Sequence, residues 1–185
     1  MKKVINGIVL ENRFEHNGYK CISTLTKMGT RCGYVGVPKT HSLYGKSVRD
    51  YLDIKKADIA DRQISGVFPL LAACLDKDER INIDAYFQVH GGITYAGDEL
   101  NKWLELEDLD LWWFGFDCGH YNDKPDFSAA YMHFPENKER LESLQNIEKD
   151  FDECFDGREV RTILYVMSEC KSLADQLKEY EKTKR

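Results

Sequence analysis

No stretch of this chain approaches the roughly 18 to 20 apolar residues that span a bilayer; the longest candidates are VFPLLAACL and LWWFGF. The opening MKKVINGIVLENRFEH has the two lysines of a signal peptide, but its apolar part breaks at Asn6-Gly7 and ends at Glu11, so neither a leader nor a membrane anchor is expected. The expected location is cytoplasmic. The six cysteines (21, 32, 74, 118, 154 and 170) never lie within five positions of one another, which excludes CxxC zinc knuckles and argues against a disulfide framework. Buried or semi-buried thiols in a reducing compartment are the expectation. Gly45-Lys46-Ser47 ends like a P-loop, yet position 40, where that motif needs its first glycine, is Thr40. The Rossmann glycine spacing is missing too, and neither Ser42 nor Ser128 sits in a nucleophile elbow. Cys118 has Asp117 as its neighbour, which raises rather than lowers a thiol pKa. Repeats and low-complexity segments are absent.

What is present suits one folded domain over residues 1–185: 42% apolar, 12% aromatic and 31% charged. The net charge of −6 is uneven, since residues 1–56 carry eleven Lys/Arg against four Asp/Glu (+7) and the remainder fifteen against twenty-eight (−13). A basic first third offers a surface for an anion or for the acidic remainder of the same chain. Nucleic acid is disfavoured as a partner by the acidic balance.

Residues 1–45 read as β-rich: VINGIVL, NRFEHNGYKCISTL with its Asn-Gly turn, and RCGYVGV, stopped by Pro38. SVRDYLDIKKADIADR suggests a short helix and a connection. Central strands are expected over 83–118, with Ile83, Ala85, Phe87 and Val89 alternating, Gly91-Gly92 turning the chain into ITY, and LWWFGFDC following. Residues 136–181 read as two helices. The first has Leu141, Leu144, Ile147, Phe151 and Phe155 at helical spacing. The second has an apolar stripe through Val160, Ile163, Leu164, Met167, Cys170, Leu173, Ala174 and Leu177. The expected fold is α+β: a mixed or mainly antiparallel sheet with two C-terminal helices packed on one side.

The chemistry-bearing residues concentrate in two places. His90 beside Gly91 and the Asp117, His120, Asp123 series in WWFGFDCGHYND offer imidazoles and carboxylates at strand ends. They suit a metal's ligand set, a general base oriented by a carboxylate, or an Asx-type turn whose carboxylates cap backbone N–H groups. GTRCGYVGVPKTHSLYG places Arg31, Lys39 and His41 among glycines, as anion recognition requires, or as a glycine-punctuated hairpin would. Of Trp112 and Trp113, which face opposite ways on a strand, one is free to line a cleft, and Trp113 is the one assigned to it.

The leading expectation is a binding protein whose pocket joins Arg31, Lys39, His41, His90, Gly91, Trp113, Asp117, His120 and Asp123 around a small anionic, nucleotide-like ligand, without a cofactor. One alternative is a metal-dependent hydrolase with His90, Asp117, His120 and Asp123 around a divalent metal. Another is an inhibitor acting by protein–protein contact through its acidic helices.

The blocks GTRCGYVGVPKTHSLYG, VHGGITY, WWFGFDCGH and YVMSECKSLADQL, in that order across residues 18–177, resemble a widespread family of small phage and mobile-element proteins. The resemblance implies a phage setting in a host cytosol and carries no catalytic residue with it. Small proteins of that setting often counter host defence, by sequestering a nucleotide signal or by binding a defence protein, so a host defence protein joins the expected partners.

Overall fold

The computed structural model describes residues 4–55, 79–106, 110–154 and 157–184, without the side chains of 151–154. Two Asn-Gly pairs start the fold. Asn6 and Gly7 have φ of 51° and 75°, Asn17 and Gly18 of 50° and 86°, and each pair makes the two-residue turn whose twist matches antiparallel strands. VINGIVL is therefore not one strand: Asn6-Gly7 splits it into β1 (Val4–Ile5) and β2 (Ile8–His16), followed by β3 (Tyr19–Thr26) and β4 (Arg31–Pro38). Beyond β4 come β5 (Tyr51–Lys55), β6 (Arg80–Asn82), β7 (Tyr95–Gly97) and β8 (Leu111–Asp117). Six of these form one antiparallel sheet in the order β1-β2-β3-β4-β8-β7.

The α+β architecture expected from the sequence is the one observed, with a mainly antiparallel sheet and C-terminal helices. Along β8 the side chains alternate strictly. Phe114, Phe116, then Cys118 just past the strand, join the core under the last helix; Trp113 joins a second core on the other face, with Ile22, Leu100 and Leu104. That last helix, α5 (Ile163–Lys182), starts at a Thr162 cap whose hydroxyl accepts the Tyr165 N–H. It crosses β2, β3 and β4 and buries Val166, Cys170, Leu173, Leu177 and Tyr180 at alternating steps of four and three, with Ala174 beside them. The buried stripe is rotated from the expected one, because Leu164 is 73% exposed and Val166 is fully buried.

Several segments differ from expectation. Tyr51–Lys55 is a strand paired with β6, where a helix was expected. Residues 83–86 form a single helical turn, α1 (Ile83–Tyr86), closed by the Phe87 N–H donating to the Ile83 carbonyl at 3.3 Å. Ile83, Ala85, Phe87 and Val89 are all buried, so the alternation marked burial and not a strand. Among the described residues the remaining α-helices are α2 (Glu99–Trp103), α3 (Phe127–His133) and α4 (Lys138–Cys154). Along α4 Leu141 is buried and Ile147 is 52% exposed. The helix packs against α3, while the side chains of Phe151 and Phe155 and the whole of VFPLLAACL lie outside the described residues. A short parallel pair, β9 (Asp123–Lys124) with β10 (Glu159–Val160), ties the turn after β8 to the start of α5. No helix among the described residues is long and apolar enough to cross a membrane.

Candidate functional site

β9 and β10 build the site. Their pairing carries Asp123 to the N-terminal end of α5, where its side chain is almost completely buried among donors. His90 Nε2 lies 2.7 Å from Asp123 Oδ2, and the His120 backbone N–H donates to the same oxygen at 3.0 Å. Arg161 Nε donates to Oδ1 at 2.7 Å. Burial alone would push the Asp123 carboxyl upward; the hydrogen bonds from His90, Arg161 and the His120 N–H outweigh it and hold the group below the ordinary carboxylate range.

The two imidazoles meet over this carboxylate with ring centroids 5.2 Å apart. His120 Nδ1 is buried 3.4 Å from Asp123 Oδ2, yet makes no hydrogen bond with the described residues. Gly91, at φ 68°, is what allows this approach: a Cβ there would stand 1.9 Å from His120 Cε1. His90 Nδ1 faces the Tyr165 hydroxyl at 2.9 Å, and the His90 backbone N–H donates to Glu169 at 2.8 Å. Arg158 fixes the turn from behind, donating to the Tyr121 carbonyl at 3.0 Å and the Asp123 carbonyl at 2.7 Å while pairing with Glu148.

Of the expected site residues, the fold thus brings together His90, Gly91, His120 and Asp123. Asp117 stands apart for a geometric reason. Phe114, Phe116 and Cys118 point toward α5, so Asp117, of opposite parity, points to the other face. There its two oxygens accept the Gly119 N–H at 3.0 Å and the Thr94 hydroxyl at 3.0 Å, the turn-capping role held open for it. Trp113 lines no cleft: it is fully buried and donates from Nε1 to Asn101 at 2.6 Å.

The basic residues do not converge either. β4 runs from Arg31 to Pro38, so Lys39 and His41 emerge roughly 20 Å along the sheet from Arg31. Lys39 makes an exposed ion pair with Asp110 at 2.5 Å. His41 is buried, accepts the Leu43 N–H at 3.1 Å, and is held below its ordinary pKa chiefly by burial. Arg31 does adjoin the cluster, but as scaffold. It forks onto Glu11 at 2.7 and 3.1 Å, pairs with Asp126 at 2.9 Å and donates to the Arg161 carbonyl at 3.0 Å. Glu11 meets it where a bulge between Leu10 and Asn12 takes Glu11 out of register with β3.

Sequence reasoning missed Arg161, which precedes the Thr162 cap of α5, and Tyr165 and Glu169 in its first two turns. All three fall within the second expected helix, whose apolar stripe leaves them out. The thiols match expectation among the described residues, where Cys21, Cys32, Cys118 and Cys170 are all free. Burial, followed by the nearby Asp123 charge, pushes Cys118 well above its ordinary pKa.

One ligand-capable atom from each of His90, His120 and Asp123 lies within 4.8 Å of the others. Ligand atoms around a tetrahedral Zn²⁺ stand about 3.3 Å apart. The His120 Nδ1 to Asp123 Oδ2 distance of 3.4 Å already fits, and the 2.7 Å from His90 must open by about half an ångström. The remaining separation is no more than 4.8 Å and must close by at most about 1.5 Å, a shift within reach of the one-third-exposed His120 side chain. Fold and site together define an α+β protein with a partly buried His–His–Asp cluster backed by arginine. Comparison with known protein families, curated proteins and solved structures gives no match.

Proposed function

We propose that the protein is a divalent-metal protein of hydrolase type, with His90, His120 and Asp123 as ligands. The observation that carries this reading is the convergence of two imidazole nitrogens on one carboxylate oxygen, one of them the buried and unbonded His120 Nδ1. Asp123 divides its labour: Oδ2 faces the imidazoles, while Oδ1 is kept by Arg161 in the outer-shell role that orients metal-binding carboxylates. Three protein ligands leave one position of a tetrahedral ion open, where a bound ion supplies an activated water for hydrolysis. The ligand set differs from the one expected by the loss of Asp117.

The anion-binding reading has less support, since Arg31 and Lys39 are engaged in ion pairs and His41 is buried far from His90. A phage setting with a role against host defence remains compatible with a metal centre and rests on the sequence resemblance.

Protein stripped with a chelator and titrated calorimetrically with Zn²⁺, Mn²⁺ and Co²⁺ is expected to bind about one ion per chain, and His120→Ala to abolish binding. Wild-type protein that takes up no stoichiometric ion removes the proposal. Uptake without metal-dependent cleavage of any ester or phosphoester removes its hydrolytic half.

A further inference from the structure

The contact between Tyr165 and His90 has a consequence for how the cluster accepts an ion. An ionised carboxylate only accepts hydrogen bonds, so the 2.7 Å contact between His90 Nε2 and Asp123 Oδ2 places a hydrogen on Nε2. In a neutral imidazole Nδ1 is then an acceptor, and the Tyr165 O–H donates to it across 2.9 Å. A metal ion binds the Nε2 lone pair, so the ring hydrogen must then sit on Nδ1, where it needs an acceptor. The phenolic oxygen supplies one from the same position.

We propose that Tyr165 is a positioning residue that serves both tautomers of His90, donating to Nδ1 in the metal-free protein and accepting from Nδ1–H when Nε2 binds the ion. This inference rests on the metal reading above. For the neutral ring the exchange balances: one proton leaves Nε2 for solvent and one is taken up at Nδ1. A carboxylate in the same place could satisfy only the metal-bound tautomer. Glu169, one helical turn further along α5, does not compete, because its carboxylate accepts the His90 backbone N–H at 2.8 Å. Tyr165 is itself well fixed. Its N–H is capped by Thr162 at 3.2 Å, its ring meets His90 edge-on at 5.5 Å, and the Arg161 guanidinium lies 5.1 Å from its centroid.

The test is nitrogen NMR of protein labelled at histidine, recorded about two pH units above the ordinary imidazole pKa of about 6.5, with and without Zn²⁺. Wild type is expected to show the Nε2–H form of His90 without metal and the Nδ1–H form with it. Tyr165→Phe is expected to keep the Nε2–H form without metal and to bind Zn²⁺ about 10- to 100-fold more weakly. An Nδ1–H tautomer in the metal-free wild type overturns the inference, and so does a Tyr165→Phe affinity within about twofold of wild type, with the metal reading intact in both cases. Wild type that binds no Zn²⁺ overturns both, and is told apart because the wild type itself fails. Should Tyr165→Phe not fold, the wild-type tautomers alone decide.

Discussion

Asp123→Asn in the metal-free protein tests the arrangement of donors around this side chain. The replacement keeps the shape and turns one acceptor oxygen into an NH₂ donor. His90 can adapt by moving its ring hydrogen to Nδ1, but the other two partners cannot. The His120 backbone N–H reaches Oδ2 at 3.0 Å and Arg161 Nε reaches Oδ1 at 2.7 Å, and both only donate. Whichever way the amide turns, one of them faces an N–H. Losing a hydrogen bond to a charged group costs about 1.5–3 kcal/mol, and breaking a fully buried ion pair about 3–5 kcal/mol. Asp123 is 1% exposed in its side chain but Arg161 is 20% exposed and can turn to water, which favours the lower range. The expected loss is about 2–3 kcal/mol, or a fall in Tm of about 4–12 °C for a chain of this size. Urea denaturation in chelator, at neutral pH and at a series of acid values, measures it. Because the folded carboxyl is held below its ordinary value, its contribution is complete above about pH 4 and disappears as pH falls through the folded pKa. The gap between wild type and variant must therefore close in acid. A neutral-pH difference under about 0.5 kcal/mol, or a gap that does not narrow in acid, refutes the account.

Two further outcomes follow from close contacts and burial. Gly91→Ala places a Cβ 1.9 Å from His120 Cε1 at a φ of 68°, whereas Gly92→Ala, at φ 89°, meets nothing nearer than the Asp84 carbonyl at 3.8 Å. Gly92→Ala is expected to cost about 1–2 kcal/mol for left-handed backbone alone, and Gly91→Ala clearly more, with His120 displaced; equal costs by denaturation, with unchanged His120 resonances, contradict this. Burial pushes Cys21 up to about 12 and Cys32 to about 11, so both thiols should resist alkylation in the native protein at neutral pH and react once it is unfolded. Mass spectrometry of the labelled peptides reads this directly, and rapid native labelling of Cys21 counts against the packing described.

Local chemistry made part of the site legible in advance. His90 beside two glycines and His120 three residues before Asp123 stood out because turn glycines and closely spaced ligand-type residues carry their meaning within a few positions. Gly91 proved necessary for a contact with His120, although only the fold revealed what it made room for. Asp117 was grouped with the others by spacing alone, and a parity rule along β8 removed it. Applied to the burial of Phe114, Phe116 and Cys118, that rule needed to know which face α5 covers. Arg161 and Tyr165 lie about forty residues from Asp123, beyond any local pattern, and reach it through a two-residue parallel pairing too short to leave a periodic signal.

The sequence by itself determined the β-rich opening, the Asn17-Gly18 turn, the LWWFGF strand and the long final helix, since each depends on backbone preference or on a period of side chains within one element. Tertiary structure alone decided where the charges went. The anion surface suggested by Arg31, Lys39 and His41 is divided because an eight-residue strand holds its two ends far apart. The acid–base cluster exists because β9 and β10 bring Asp123 to Arg161. Charge pairing depends on distance, and distance between remote residues is set by packing rather than by order along the chain.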